Sequence, residues 1–312
     1  MIFFDTLPPI PLQALEDEHT RRAGVRVSVL RTDLTHPQVS GNKWFKLKHN
    51  LYILLQQGYD TLLTFGGAYS NHIYATAAAA QALGVRAIGV IRGEEVRPLN
   101  PTLAFAEAVG MELVYCSRGD YRQKHTPEFL AKLEQRFGRF YLIPEGGSNA
   151  AAVQGAAELG RLIPSDADAC YLACGTGGTL AGVRLTAPKG CQLQGVPVLK
   201  GGDFLHQDLA HLHQVWAEKY APDAPPPLPY TLHTDFHAGG YAKQNAELRA
   251  FLAWFAQTHP TVPLEPVYTG KLFWALYTQI KSELWPRQTH LVVIHSGGLR
   301  ACLCQDAPDL RI

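Results

Sequence analysis

Short apolar runs rich in β-branched residues alternate with longer helical patterns through most of this chain, and that alternation constrains its fold more than any other feature. It argues for βα units and parallel sheets, so the predicted class is α/β. In the first half, strands are placed at 25–30, 61–65, 86–91, 112–116 and 140–143, and helices at 45–57, 70–83, 103–109 and 129–136. In the second half, strands fall at 169–173, 192–198, 230–234 and 291–294, and helical stretches surround 150–162, 179–185, 244–256 and 271–284. The one loop-like shift in composition is APDAPPPLPY at 221–230, whose prolines forbid helix and suit an extended surface connection.

A length of 312 residues suggests two domains, at about 150 residues per domain. A net charge of +1 gives no electrostatic case for a nucleic acid or an anionic membrane as partner and points to a small neutral or zwitterionic ligand. The most membrane-like stretch, 73–91, contains Gln81 and Arg86 and breaks at Gly84, so it reads as a helix running into a strand. The opening MIFFDTLPPIPLQALEDE has no basic region and carries Asp5, so no signal peptide is expected and the expected compartment is the cytoplasm. The six cysteines form no CxxC pair. The CxC at Cys302 and Cys304 has no neighbours to complete a zinc site, so reduced thiols and no metal are expected.

Three turns carry chemistry. Gly175, Thr176, Gly177, Gly178 and Thr179 follow the strand YLAC and precede the helix LAGV. Leu180 breaks the dinucleotide pattern GxGxxG, and no Walker pattern is present. What remains is a cup of unencumbered N–H groups with two hydroxyls, suited to a phosphate monoester. A second turn, GGAYSNH from Gly66, opens an Ala-rich helix, where Ser70 and Asn71 serve equally as an ordinary cap or as part of a carboxylate cup. In the third, GNKWFKL from Gly41, Lys43 stands among aromatic bulk at a helix start, where a lowered pKa makes an amine nucleophilic. Together these supply what an enzyme needs to hold pyridoxal 5'-phosphate through a lysine and to receive an amino acid.

With these motifs in hand, the chain resembles the fold-type II pyridoxal phosphate enzymes, and within them the 1-aminocyclopropane-1-carboxylate deaminase and D-cysteine desulfhydrase group. GNKWFKL, GGAYSNH, GTGGTLAG from Gly175, YTGK from Tyr268 and HSGG from His295 occur in the family's order, spanning 41–298. The resemblance implies two parallel-sheet domains of three layers each, with 48–148 inserted as a small domain into a large one of 1–47 plus 149–312. It implies that Lys43 binds the cofactor covalently, that Gly175, Thr176, Gly177, Gly178 and Thr179 hold its phosphate, and that Asn71 meets the pyridine 3-hydroxyl. Ser70, with the N–H groups around Asn71 and His72, would hold the substrate carboxylate, and Tyr241 and Tyr268 would be the active-site tyrosines. His72 and His295 are read as structural. A homodimer is also implied.

Two departures bear on the substrate. The ring-opening deaminases have YEGK and HLGG, whereas this chain has Thr269 and Ser296 at those places. Thr269 would face the pyridine nitrogen, and a hydroxyl stabilises a pyridinium less than a carboxylate does. Elimination of a β leaving group, with D-cysteine as the leading substrate, is therefore expected ahead of ring opening of 1-aminocyclopropane-1-carboxylate. β-Replacement, racemisation, a protein that binds the cofactor or an amino acid without turnover, and a nicotinamide oxidoreductase stand further back.

Overall fold

A computed structural model of the chain describes residues 4–299, so Cys302 and Cys304 lie outside the described residues. Two sheets organise it. The chain begins with β1 (Leu12–Leu15), α1 (Glu18–Ala23), β2 (Arg26–Leu30) and α2 (Asn42–Gln56). A βα series follows: β3 (Thr61–Gly67), α3 (Asn71–Leu83), β4 (Arg86–Arg92), α4 (Pro101–Ala108), β5 (Met111–Cys116), α5 (Arg118–Tyr121), α6 (Pro127–Phe137) and β6 (Tyr141–Ile143). These four strands form one parallel sheet in the order β5-β4-β3-β6. Next come α7 (Ala150–Gly160), β7 (Ala169–Cys174), α8 (Gly178–Thr186), β8 (Gln192–Pro197), α9 (Leu205–Tyr220), β9 (Tyr230–Leu232), α10 (Ala246–Thr258), α11 (Thr269–Lys281) and β10 (His290–Ile294). With β1 and β2 they build the second sheet, ordered β1-β2-β10-β7-β8-β9 and parallel except for the β1–β2 pair.

The α/β class and the parallel sheets agree with the sequence pattern. Every residue of β7 and β10 is buried, as expected for central strands covered by helices on both faces. The short helices α1 and α5 were not expected, and three further elements differ from expectation. The edge strand β1, for which no strand was expected, lies directly after Pro8, Pro9 and Pro11. The helix α9 buries only Leu205, Leu209, Leu212 and Trp216 of its 16 residues, a stripe too narrow to stand out among the intervening His and Gln. Strand β9 ends at Leu232, because the chain turns into a 3₁₀ segment at Thr234–His237.

Helix α2 joins the two sheets, and two glycines set its position. A Cβ on Gly155 of α7 would lie 1.9 Å from the Phe45 carbonyl oxygen, so α2 and α7 approach at backbone distance. At Gly41, where φ is +64°, a Cβ would fall 1.9 Å from the Ser296 oxygen. The residue that opens α2 is thereby pressed onto the loop that follows β10.

Candidate active site

The amino terminus of α2 carries Lys43 and Lys46, three residues apart and so on one helix face. Trp44, Phe45 and Leu47 are buried around them and fix the helix in rotation. Lys43 Nζ donates to Asn42 Oδ1 at 3.0 Å, and Asn42 Nδ2 donates to Thr179 Oγ1 at 2.8 Å. The lysine motif and the glycine-rich turn are therefore joined by one side chain. Burial, partly offset by the charge of Glu265, lowers the Lys43 amine to about 8.

The turn at Gly175, Thr176, Gly177, Gly178 and Thr179 connects β7 to α8, and Gly177 at φ 76° caps the helix in the left-handed region. Its open side is the one that Gly178 faces. A Cβ there would stand 2.8 Å from both Lys46 Nζ and Ser148 Oγ, whereas a Cβ on Gly177 would point at Leu205 and Leu209 of α9. Lys46 Nζ donates to Ser148 Oγ at 3.0 Å, and Ser148 Oγ lies 2.5 Å from Thr176 Oγ1. A lysine amine whose pKa burial and then the charge of Lys43 push well down, two hydroxyls and the helix N–H groups thus converge where an anion would sit, and a bound anion would favour the charged form of that amine. Sequence reasoning passed over Lys46 and Ser148. The i, i+3 spacing of Lys46 from Lys43 was a signal for the first, while Ser148, about a hundred residues away, had none.

Ser70 caps α3, its Oγ accepting from the Ile73 N–H at 3.3 Å, and Asn71 is the first residue of that helix. A Cβ on Gly298 would lie 2.5 Å from Asn71 Nδ2, so the α3 turn abuts the HSGG loop, which itself backs onto Gly41. His72 is buried, 2.8 Å from Thr64 Oγ1, and burial followed by the charges of Lys43 and Lys46 pushes its pKa well down. His295 is fully buried, with Nε2 2.7 Å from the Pro263 carbonyl oxygen. His295 Nδ1 also lies 3.4 Å from Asp33 Oδ1, and burial lowers the pKa of this histidine too.

Tyr268 caps α11 and lies against the glycine turn, its ring 3.1 Å from where a Gly175 Cβ would be. Tyr241 meets it edge to face, with ring centroids 6.1 Å apart. Burial raises the pKa of both phenols, that of Tyr268 strongly. Lys271 Nζ, fully buried, donates to the Gly240 carbonyl at 2.7 Å and the Val198 carbonyl at 3.1 Å, tying the loop of Tyr241 to α11. Thr269 is fully buried and its hydroxyl is engaged by Glu265, a third residue that sequence reasoning passed over.

The family model described as "Pyridoxal-phosphate dependent enzyme" matches residues 5–297. The chain belongs to that family. A Pyrococcus horikoshii protein named as a putative 1-aminocyclopropane-1-carboxylate deaminase is 30% identical over 93% of this chain and 89% of its own length. A Yersinia pestis D-cysteine desulfhydrase is 28% identical over 89% of this chain and 88% of its own. A solved 1-aminocyclopropane-1-carboxylate deaminase homologue superposes with a TM-score of 0.78 at 27% identity, covering 94% of this chain and 90% of that one. This chain is thus a pyridoxal-phosphate dependent enzyme of the fold-type II kind. Its donors suit the cofactor: an anion cup with Lys46 aimed into it, an amine lowered to about 8 at Lys43, and beside the cup the half-buried Tyr268 with the more exposed Tyr241 against it. No helix among the described residues is long and apolar enough to cross a membrane, and no group of three or more potential ligands there could hold a metal ion.

Proposed function

We propose that this enzyme eliminates a β leaving group, foremost a thiolate, from a small α-amino acid, with D-cysteine as the leading substrate. In this reading Lys43 binds the cofactor, Gly175, Thr176, Gly177, Gly178, Thr179 and Lys46 hold its phosphate, and Asn71 and Thr269 meet its ring. Ser70 and the first N–H groups of α3 hold the substrate carboxylate. The substrate would sit between a smaller domain of residues 48–148 and a larger one of 1–47 plus 149–312, in a protein that pairs as a homodimer. When bound, pyridoxal phosphate supplies withdrawal of electrons from the α-carbon.

The observation that carries this reading is the contrast between Lys43, lowered to about 8, and the Tyr241 and Tyr268 phenols, both raised. Near neutral pH an amine of that kind is neutral in a usable fraction and can take the α-proton. The phenols keep their protons, so either can give one to a departing sulfur. Base and acid are thereby divided between the lysine and the tyrosines.

The alternative, ring opening, has the name of the Pyrococcus relative in its favour. Against it, 1-aminocyclopropane-1-carboxylate has no α-hydrogen, so a base aimed at the α-carbon finds nothing to remove. The test is sulfide and pyruvate release from both enantiomers of cysteine, measured beside 2-oxobutyrate release from the cyclopropane. Thiol elimination should be the faster reaction, and faster 2-oxobutyrate formation would overturn the reading.

A further inference from the structure

Glu265 is a carboxylate with no solvent exposure, lying just before the YTGK motif. Its Oε2 accepts from the Val267 N–H at 2.7 Å, and its Oε1 accepts from the N–H groups of Tyr268 at 2.7 Å and Thr269 at 2.6 Å. Three N–H donors and the positive end of α11 favour the ionised form, although burial pulls its pKa upward. The carboxylate is within electrostatic reach of Lys43, Tyr241, Tyr268 and Lys271. A buried carboxylate so expensive to desolvate, and so close to the reacting lysine, calls for a role beyond capping a helix.

The hydrogen-bond inventory of Thr269 supplies one. Its Oγ1 accepts from the Glu265 N–H at 2.9 Å, and its proton has two acceptors at 3.2 Å, the Glu265 carbonyl and Oε1. A bond to an ionised carboxylate is the stronger of the two. With the proton directed to Oε1 and one lone pair taken by the Glu265 N–H, one lone pair is left, and it can only accept.

We infer that Glu265 and Thr269 act as a dyad that keeps the pyridine nitrogen of the bound cofactor protonated, with Glu265 as the positioning residue. This rests on the reading above that Thr269 meets the ring at its nitrogen. The ring N–H donates to Thr269 Oγ1 while the hydroxyl donates to Glu265 Oε1. No proton changes owner and the negative charge stays on the carboxylate. The acid absent from position 269 is thus supplied four residues upstream, one hydrogen bond behind the threonine. The expectation that a hydroxyl at 269 leaves the ring a weak electron acceptor treated that hydroxyl as isolated, and the dyad removes the premise. Preference for elimination then rests on the α-proton alone.

The test is ¹⁵N NMR of the holoenzyme loaded with pyridoxal phosphate labelled at the ring nitrogen. The unmodified enzyme should resonate in the pyridinium range, and Glu265→Gln in the neutral-pyridine range. Because Glu265→Gln also alters the cap of α11, Thr269→Val is measured beside it, with Thr269→Ser as the conservative rescue. Thr269→Val should move to the neutral range and Thr269→Ser should return to the pyridinium range. A neutral resonance in the unmodified enzyme, or a pyridinium resonance retained by Thr269→Val, overturns the dyad. Either result leaves thiol elimination standing. Conversely, a pyridinium signal that follows the dyad in an enzyme unable to release sulfide from cysteine would sink the substrate reading and keep the dyad.

Discussion

Asn42 Nδ2 donates to Thr179 Oγ1 across 2.8 Å, and the same side chain accepts from Lys43, so one amide sets the lysine in register with the glycine-rich turn. The two partners lie 137 residues apart in sequence. Replacing Asn42 by Ala removes both bonds without touching either helix core. At about 1 kcal/mol per net hydrogen bond, cofactor affinity should fall roughly tenfold to thirtyfold. Absorbance titration of the cofactor-free protein checks this, and unchanged affinity would mean that the bridge is incidental.

Covalent uptake of the cofactor should follow the protonation of Lys43. With the amine at about 8, its neutral fraction is nearly complete above that pH and falls about tenfold per pH unit below it. Stopped-flow uptake by the cofactor-free protein should therefore rise to a plateau above pH 8. An ordinary lysine would still be climbing at pH 10. After borohydride reduction, peptide mapping should place the adduct on residue 43, and an adduct on Lys46 or Lys271 would refute the assignment.

A side chain at Gly178 should damage the anion cup more than its neighbours suggest. Its Cβ would enter within 2.8 Å of Lys46 Nζ and Ser148 Oγ. Gly178→Val is expected to fold, by circular dichroism, and to lose cofactor affinity by about a hundredfold or more, which corresponds to ~2.7 kcal/mol. Gly177→Ala acts differently: its Cβ points at Leu205 and Leu209, and the left-handed φ of 76° puts the cost into backbone strain. Its main effect should be a lowered melting temperature.

Away from the site, Asp17 joins α1 to α11. Its Oδ2 accepts from the Tyr277 hydroxyl at 2.6 Å and lies 3.0 Å from His259 Nε2, while Oδ1 caps α1. Burial raises its pKa, but the bonds from His259, Tyr277 and the α1 N–H groups outweigh burial and hold it at about 2. The folded pKa lies below the unfolded one of ~3.9, so this stabilisation is complete above pH 4 and is lost as pH falls toward 2. Asp17→Asn should lower stability at pH 7 by about 2 kcal/mol and flatten the decline of melting temperature between pH 4 and pH 2. An equally steep decline in the variant would place the acid sensitivity elsewhere.

The strand and helix alternation was legible because local periodicity reports burial: β3, β4, β7, β8 and β10 fall within two residues of their expected ends. The strand-to-helix position of the glycine motifs was legible too: residues 175–179 do join β7 to α8 and residues 66–70 do lead from β3 into α3. Helix α9 was hidden by its thin apolar stripe, and β1 by the prolines before it.

By itself the sequence determined the α/β class and the family motifs, because each is encoded in consecutive residues, and those motifs are what put Lys43 forward as the candidate. Which groups complete the site was decided only by tertiary structure. Lys46, Ser148 and Thr176 meet because α2, α7 and the β7–α8 turn converge there, and Lys271 reaches Gly240 because α11 packs beneath that loop. Glu265 could be read from the sequence only as an ordinary acidic residue in a loop. Its N–H donors and its bond to Thr269 are local to the start of α11, but its complete burial arises only when α11 docks on the six-stranded sheet. Such burial sets charge and proton position through surroundings drawn from distant parts of the chain, and no local pattern records them.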